Sequence, residues 1–179
     1  IKNLKYHYEY RHVFDQLYAI LRKNEVDYIY IGGDIAHTKT QISPEFVQLC
    51  SELFTNLAEI APLYIILGNH DGNLRNKSRQ DAITPIVNAL DNPNIHLLAA
   101  AGETIVTDDL AFNVLSVFDE DNWVKPSSED RINIAFYHGC VAGVQTDAGW
   151  VMEYGDHDVS IFAGHDFAML GDIHKTNQI

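Results

Sequence analysis

Polar side chains that can hold cations follow four short apolar runs of this chain. The runs and their polar residues are IGGDIAH with Asp34 and His37, LGNHDG with Asn69, His70 and Asp71, FYHG with His138, and MLGDIHK with Asp172 and His174. Carboxylate, imidazole and amide-oxygen ligands without a thiolate suit Mn²⁺, Fe²⁺ or Zn²⁺ in a reactive centre, and they do not suit a structural cysteine-zinc site. If the four clusters converge, we expect a metal centre.

The chemistry that such a centre could support is phosphoryl transfer. A carboxylate that bridges two cations about 3.5–4 Å apart stabilises both the attacking and the leaving oxygen at phosphorus. The glycines at Gly32, Gly33, Gly68 and Gly171 allow sharp turns that direct the following side chain into a cleft. Each cluster alone could be an ordinary turn, and a single histidine at a strand end usually bonds a backbone carbonyl. Four clusters of the same ligand chemistry are hard to assign to turns.

Alternating elements place the clusters at strand ends. Apolar residues at helical spacing predict an amphipathic first helix with one buried face, formed by Tyr10, Val13, Phe14, Leu17, Ile20 and Leu21. Ser43 and Pro44 are typical of an N-cap and first helical position. We predict a further helix over 80–90 that Pro85 interrupts early, and strands at 27–31, 63–67, 95–98, 104–107, 110–118, 131–137 and 167–170.

The order of these elements predicts an α/β sandwich. Helices and strands alternate in the first half, which indicates βαβ units and a parallel sheet, whereas consecutive strands in the second half indicate hairpins and a mixed sheet. Ligands of open α/β sheets collect beyond the carboxyl ends of the strands. The four polar clusters all occupy such positions.

Composition limits the class of protein. The chain has 179 residues and a formal net charge of −13, so we expect one domain that does not coat nucleic acid by bulk electrostatics. Divalent cations could still meet phosphates in place of lysines. No run approaches the roughly 18 apolar residues that span a bilayer, and Cys50 and Cys140 lack a CxxC spacing. We therefore expect a cytoplasmic protein without a membrane partner and with free thiols.

The ordered motifs resemble those of a known superfamily. Their order is similar to that of the calcineurin-like metallophosphoesterases: GGD, then GNHD, then a strand ending in H-G, and then GDIH, where GHxH is usual in the family. His37 three residues after Asp34, Ser43-Pro44 and the ending FAMLGDIHK resemble the SbcD-type, or meiotic-recombination-eleven-type, DNA repair nucleases. The resemblance implies one metallophosphoesterase domain over 1–179, built as a four-layer α/β/β/α sandwich of two mixed sheets flanked by helices.

The resemblance also implies a ligand set for two divalent metal ions. By position, Asp34 resembles the bridging carboxylate, and the other ligands would be Asn69, His138, Asp172 and His174. Asp172 stands where the family usually has histidine, which keeps a ligand but adds negative charge. That change favours a hard cation such as Mn²⁺, with Fe²⁺, Zn²⁺ or Mg²⁺ as alternatives.

Three further residues resemble catalytic groups of the family. His70 would contact the scissile phosphate, Asp71 would orient His70 by hydrogen bonding, and His37 would help to position a DNA phosphate. The loop NLRNKSR either grips DNA phosphates or is an ordinary solvated loop, and its basic residues are Arg75, Lys77 and Arg79.

One family motif is absent from the sequence. The family opens on D-x-H at its first strand, and this chain has no such motif before its first helix. We expect it upstream of Ile1, and we expect capping and partner-binding regions downstream of Ile179. His7 and His12 are interpreted as solvated helix positions and not as replacements.

The favoured function is metal-dependent hydrolysis of DNA phosphodiester bonds, as an exonuclease and endonuclease in repair or recombination. The resemblance further implies a homodimer and partnership with an SbcC-type ABC ATPase subunit. The alternatives are a phosphodiesterase for small molecules and a non-catalytic scaffold that binds proteins. A scaffold would have no reason to keep the ligand set together, which favours an enzyme.

Overall fold

The computed structural model describes residues 4–37, 42–143, 151, 155 and 157–172. The α-helices are α1 (Leu4–Lys23), α2 (Pro44–Ala58) and α3 (Thr84–Leu90). The strands are β1 (Ile29–Ile31), β2 (Leu63–Ile65), β3 (Ile95–Leu97), β4 (Gly102–Thr107), β5 (Leu110–Leu115), β6 (Ile132–His138) and β7 (Phe167–Gly171), with short 3₁₀ helices at Glu120–Asn122 and Val159–Phe162. None of the described helices combines the length and apolar character needed to cross a membrane.

The strands form two sheets, as the sequence predicts. In the first sheet the described strands lie in the order β1-β2-β3 and are all parallel, which agrees with the helix–strand alternation of that half. The second sheet has the order β4-β5-β6-β7 and is mixed, because β4 and β5 are antiparallel whereas β6 and β7 join in parallel. The mixed α/β fold with two helix-flanked sheets is confirmed.

An aromatic core lies between the two sheets. The rings of Tyr30 in β1 and Phe136 in β6 stack with centroids 4.1 Å apart, and the ring of Tyr64 in β2 meets Phe112 in β5 edge-on at 4.8 Å. Because strand side chains alternate, Leu63 and Ile65 point away from Tyr64, and they join the core beneath the helices. This packing fixes how the carboxyl ends of β1 and β6 meet.

The outer faces of the two sheets are covered differently. The helices α1, α2 and α3 share one apolar core with the first sheet. Within the described part of the chain, the outer face of the second sheet packs against Trp123 and Phe162, which belong to loops and a 3₁₀ helix. Within the described residues, an outer layer of α-helices, as predicted for the four-layer sandwich, therefore covers the first sheet.

The buried face of α1 differs from the predicted one. His7 and Tyr18 are buried and Phe14 and Leu21 pack against the core, whereas four residues of the predicted face are exposed, namely Tyr10, Val13, Leu17 and Ile20. His7 is thus not solvated as we predicted, although His12 is exposed. The helix carries apolar residues on two adjacent stripes, so periodicity alone could not identify the stripe that faces the core.

The starts of α2 and α3 follow from local chemistry. Ser43 is the N-cap of α2, where its hydroxyl accepts a hydrogen bond from the Phe46 N–H at 3.2 Å, and Pro44 opens the helix as predicted. Pro85 does not interrupt a helix over 80–90, since α3 begins at Thr84 and Pro85 lies in its first turn. Asp81 accepts hydrogen bonds from Ile83 and Thr84 just before this start.

Candidate metal centre

Three of the predicted ligands converge where the carboxyl ends of both sheets meet. Asp34 lies just beyond β1, His138 ends β6, and Asp172 follows β7. Each offers one ligand atom, and these atoms all lie within 4.8 Å of one another. Nε2 of His138 is 3.2 Å from Oδ1 of Asp34 and 3.8 Å from Oδ1 of Asp172. Residues up to 138 positions apart in sequence therefore surround one point.

The hydrogen bonding of His138 leaves its Nε2 atom without a hydrogen-bond partner. Its Nδ1 lies 2.6 Å from the Gly32 carbonyl oxygen, so the ring N–H is donated there and Nε2 keeps its lone pair. The side chain is only 2% exposed, and Nε2 makes no hydrogen bond within the described structure. A buried lone pair that faces two carboxylates is unfavourable unless a cation lies between them. The residues present fit a divalent metal ion.

Asn69 supplies a second acceptor of the same kind. Its side-chain Oδ1 is buried and lacks a hydrogen-bond partner among the residues described. The next residue, His70, donates its backbone N–H to Oδ1 of Asp34 at 2.9 Å, which holds this loop against the cluster. The buried amide oxygen lies on the loop that is held against Asp34, and its role as a ligand stays a prediction.

The backbone around the cluster adopts conformations that bring the carboxylates inward. Asp34 has φ 56° and Asp172 has φ 76°, both in the left-handed region, which costs a residue other than glycine on the order of 1–3 kcal/mol. At Gly171 a Cβ atom would collide with the Gly32 carbonyl oxygen and lie 2.5 Å from Nδ1 of His138. Only glycine permits this approach of the two sheets.

Asp71 has a different role from the predicted one. The residue is fully buried, and its two carboxylate oxygens accept hydrogen bonds from the Ala36 N–H at 2.7 Å and the Gly68 N–H at 2.9 Å. Burial raises the pKa of its carboxyl group, and the two amide donors oppose that rise. Asp71 therefore ties the loop after β1 to the loop after β2 and does not orient His70 by a direct hydrogen bond.

The imidazole of His70 is oriented by a backbone group instead. Its Nδ1 lies 3.0 Å from the carbonyl oxygen of His37, and the two rings are nearly parallel with centroids 6.1 Å apart. Both histidines are exposed beside the partly buried cluster, so a substrate can reach them. Our sequence interpretation missed the carbonyl acceptors of Gly32 and His37, because no side-chain type indicates them.

The remaining predicted residues are not brought into the cluster. The predicted ligand His174 lies outside the described residues. The basic residues Arg75, Lys77 and Arg79 are exposed on turns that follow the second loop, and Nζ of Lys77 is 4.0 Å from a carboxylate oxygen of Glu120. Their contact with DNA stays a prediction.

A groove of about 540 Å³ opens between α1, α2 and the end of β1. Its wall is mainly apolar and includes Phe14, Ile35, His37 and Cys50. Burial raises the pKa of the Cys50 thiol to about 12, so this group is a neutral packing residue at physiological pH and not a nucleophile or metal ligand.

Comparisons with known proteins agree with this geometry. Residues 5–175 match the family described as calcineurin-like phosphoesterase. The chain is also 39% identical over 190 aligned residues to an uncharacterized protein of Acanthamoeba polyphaga mimivirus. That alignment covers 98% of this chain and 14% of the viral protein, so the chain spans a small part of its relative's length.

Proposed function

The chain belongs to the calcineurin-like phosphoesterase family, and from this premise we propose that it hydrolyses phosphodiester bonds of DNA with divalent cations held at Asp34. Membership of the family indicates a metal-binding hydrolase. The observation that carries the proposal is Nε2 of His138, a buried acceptor aimed at two carboxylates without a donor between them.

The residues of the cluster would bind the cations. Asp34, Asn69, His138 and Asp172 would hold the cations, and His174 would complete the set. Divalent cations bound there would supply Lewis-acid chemistry, namely a lower pKa of bound water and neutralisation of charge on the phosphoryl oxygens. Two carboxylates in one cluster favour a hard cation, so we propose Mn²⁺, with Fe²⁺, Zn²⁺ and Mg²⁺ as alternatives.

His70 would act on the phosphate from beside the metal cluster. Because Nδ1 faces the carbonyl oxygen of His37, Nε2 is the ring nitrogen left for a phosphoryl or leaving-group oxygen. A protonated Nε2 stabilises negative charge that develops there in the transition state. The neighbouring ring of His37 is exposed and would position the same phosphate.

Exposure of both imidazoles favours a polymeric substrate, because a long backbone can cross an open surface that would not enclose a small molecule. The exposed loop with Arg75, Lys77 and Arg79 would offer phosphate contacts beyond the reacting group. A small-molecule phosphodiesterase is the second candidate. An SbcC-type ABC ATPase partner is also proposed, on the motif resemblance alone.

We further propose that a D-x-H segment from upstream of α1 fills the groove beside β1. The other edge of β1 has no paired strand in the part of the chain that the structure describes, so its outward backbone groups are available for a parallel strand. Such a strand would bring two more ligands next to Asp34. In full-length protein, replacing that Asp and His by alanine should reduce bound metal from two ions to one per chain, as measured by mass spectrometry of the metal content.

The activity is tested on full-length protein with Mn²⁺ and two substrates, linear duplex DNA and bis-p-nitrophenyl phosphate. Cleavage of both supports the nuclease, cleavage of the ester alone supports the small-molecule enzyme, and cleavage of neither supports a scaffold. His138→Gln should abolish cleavage. His165→Gln is the matched control, because the Nδ1 of His165 also meets a backbone carbonyl, that of Phe162 at 3.1 Å, but at a turn before β7.

A further inference from the structure

Two asparagines of the second sheet are buried with amide atoms that have no hydrogen-bond partner. Asn113 in β5 and Asn133 in β6 are each 1% exposed. Both polar side-chain atoms of Asn113 and Oδ1 of Asn133 make no hydrogen bond within the described structure. Burying an amide without a partner is unfavourable, so these atoms indicate a bound group that completes their contacts.

The strand register places the two asparagines at opposite corners of one block of four residues. Asn113 lies beside Ala135, and Ala111 lies beside Asn133. Since Phe112 faces the core between the sheets, alternation directs all four side chains to the outer face. Standard sheet spacings put the Cα atoms of the two asparagines about 8 Å apart, which their side chains can span with one ion between them. The two alanine methyl groups at the other corners are too small to separate the amides.

The amide of Asn133 has a defined orientation. Its Nδ2 donates to the backbone carbonyls of Ser128 at 2.9 Å and Arg131 at 2.8 Å. An amide oxygen in that place would meet two acceptors, so Nδ2 and Oδ1 cannot be exchanged. Oδ1 of Asn133 is therefore an acceptor that requires a donor or a cation.

A carboxylate borders the same block. Glu103 in β4 is the register partner of Asn113, and its Oε1 accepts a hydrogen bond from the Ser127 N–H at 2.8 Å. Partial burial raises the pKa of Glu103, but hydrogen bonds from Ser127 and the charge of Arg131 lower it below its ordinary value. Glu103 is therefore negatively charged. The contacts of Ser127, Ser128 and Arg131 also hold the segment 127–131 against this part of the sheet.

We propose that Asn113, Asn133 and Glu103, which we call the amide pocket, bind a Ca²⁺ ion between the second sheet and the segment 127–131. Amide, carboxylate and backbone oxygens are ligands of hard cations, and Ca²⁺ accepts irregular coordination more readily than Mg²⁺ does. The net charge of −13 favours cations near the chain in general. A buried water molecule could also donate to the two amide oxygens, and the experiments below distinguish it from an ion.

The amide pocket shares no residue with the hydrolytic centre. Its side chains project from the outer face of β4, β5 and β6, whereas the metal cluster lies at the carboxyl ends of β1, β6 and β7. Ca²⁺ binding at the amide pocket therefore does not depend on hydrolysis.

Ca²⁺ binding is tested by differential scanning calorimetry of full-length protein in the Asp34→Asn background, which weakens ion binding at the hydrolytic centre. A site with one carboxylate predicts a Kd of about 0.1–1 mM, so about 10 mM Ca²⁺ should raise Tm by roughly 3–10 °C. Asn113→Leu removes one oxygen ligand and should abolish this rise. Asn88→Leu is the matched control, because Asn88 is exposed on α3 and should keep the rise.

Asn113→Asp separates an ion from a water molecule. A second carboxylate should strengthen Ca²⁺ binding at least ~10-fold and lower the Tm of metal-free protein, because two neighbouring carboxylates repel each other. Isothermal titration calorimetry measures the affinity. Asn88→Asp adds the same charge at an exposed position and should change neither quantity.

Three results would overturn the proposal. They are a Tm that does not respond to Ca²⁺, a rise that persists in Asn113→Leu, and an Asn113→Asp variant that Ca²⁺ does not stabilise, and each would mean that the amide pocket holds water only. Should Asn113→Leu fail to fold by circular dichroism, Glu103→Gln is the second variant, since its amide oxygen can still accept the Ser127 N–H. It should weaken Ca²⁺ binding about tenfold. Loss of hydrolysis with an intact Ca²⁺ response would refute the proposed function and leave this inference standing.

Discussion

Strand β7 has an aspartate at each end, and the two carboxylates have different surroundings. Before the strand, Oδ2 of Asp166 accepts a hydrogen bond from the Asn133 N–H at 2.8 Å, and the Asp166 N–H donates to the Asn133 carbonyl at 2.9 Å. After the strand, Oδ1 of Asp172 lies 3.8 Å from Nε2 of His138 and close to Asp34.

The difference shows how a structural acid is distinguished from a metal ligand. At the Asp166 end an acceptor meets a donor, so the contact is complete without another group. At the Asp172 end the carboxylates of Asp34 and Asp172 face Nε2 of His138, which is also an acceptor. Asp172 itself has a left-handed φ of 76°. Residue type is the same at both ends. The balance of donors and acceptors, together with backbone conformation, assigns the chemistry to one of them.

The largest expected effect comes from removing one negative charge at the cluster. Asp34→Asn keeps the shape and tolerates the left-handed backbone, but a neutral amide would hold a divalent cation more weakly than the carboxylate does. We expect cleavage of bis-p-nitrophenyl phosphate in Mn²⁺ to fall about 1000-fold.

Asp166→Asn is the matched control for this substitution, because it makes the same chemical change at the other end of β7. It should retain activity within about threefold, as expected for a hydrogen bond that an amide oxygen can still accept. Equal losses in both variants would contradict the assignment of the two ends.

The second prediction concerns metal binding without turnover. An ion that binds only the folded chain stabilises it by about 2.7 kcal/mol at 100 times its Kd, which raises Tm by roughly 5–10 °C for a chain of this size. Differential scanning calorimetry of metal-free protein with and without Mn²⁺ measures this rise. It should disappear in Asp34→Asn and persist in Asp166→Asn, and its persistence in both would place the cation elsewhere.

The sequence was sufficient to predict the convergence at the centre of the site. Strand ends and glycine turns placed Asp34, His138 and Asp172 at the same edge of the sandwich, and the structure brings their ligand atoms within 4.8 Å. This worked because parallel strands end at one edge, so residues far apart in sequence must meet there.

Other features depend on tertiary contacts that no local pattern encodes. The inward stripe of α1 is selected by packing on α2, including the bonds from Arg11 to Glu52 at 2.7 and 3.0 Å, and not by apolar periodicity. The carbonyl groups that face the imidazoles of His138 and His70 belong to the main chain of Gly32 and His37. The resemblance implies that Asp71 orients His70, whereas the fold buries Asp71 and places its carboxylate between two backbone amides.

The third prediction sharpens the metal preference. Asp172→His restores the ligand that the family usually has and removes one negative charge from the cluster. A softer site should favour Zn²⁺ over Mn²⁺ more than the wild type does, and we expect the ratio of activities in the two metals to change about tenfold. Titration of metal-free protein with each ion measures the same change in affinity. Asp166→His should leave the ratio unchanged, and a shift there would show that the substitution acts through general charge.

The smallest expected effect tests the structural end of β7. Asp166→Ala removes the acceptor for the buried backbone N–H of Asn133, which should lower the free energy of unfolding by about 1 kcal/mol. Urea denaturation measures this loss, and Asp166→Asn should show little of it because its amide oxygen can replace the carboxylate. The Mn²⁺-dependent rise in Tm should be the same in both variants. Asp166→Ala could instead lose the Mn²⁺-dependent rise in Tm while its stability without metal stays unchanged. In that case Asp166 would contribute to the cation site, and hydrogen bonding would not distinguish the roles of the two aspartates.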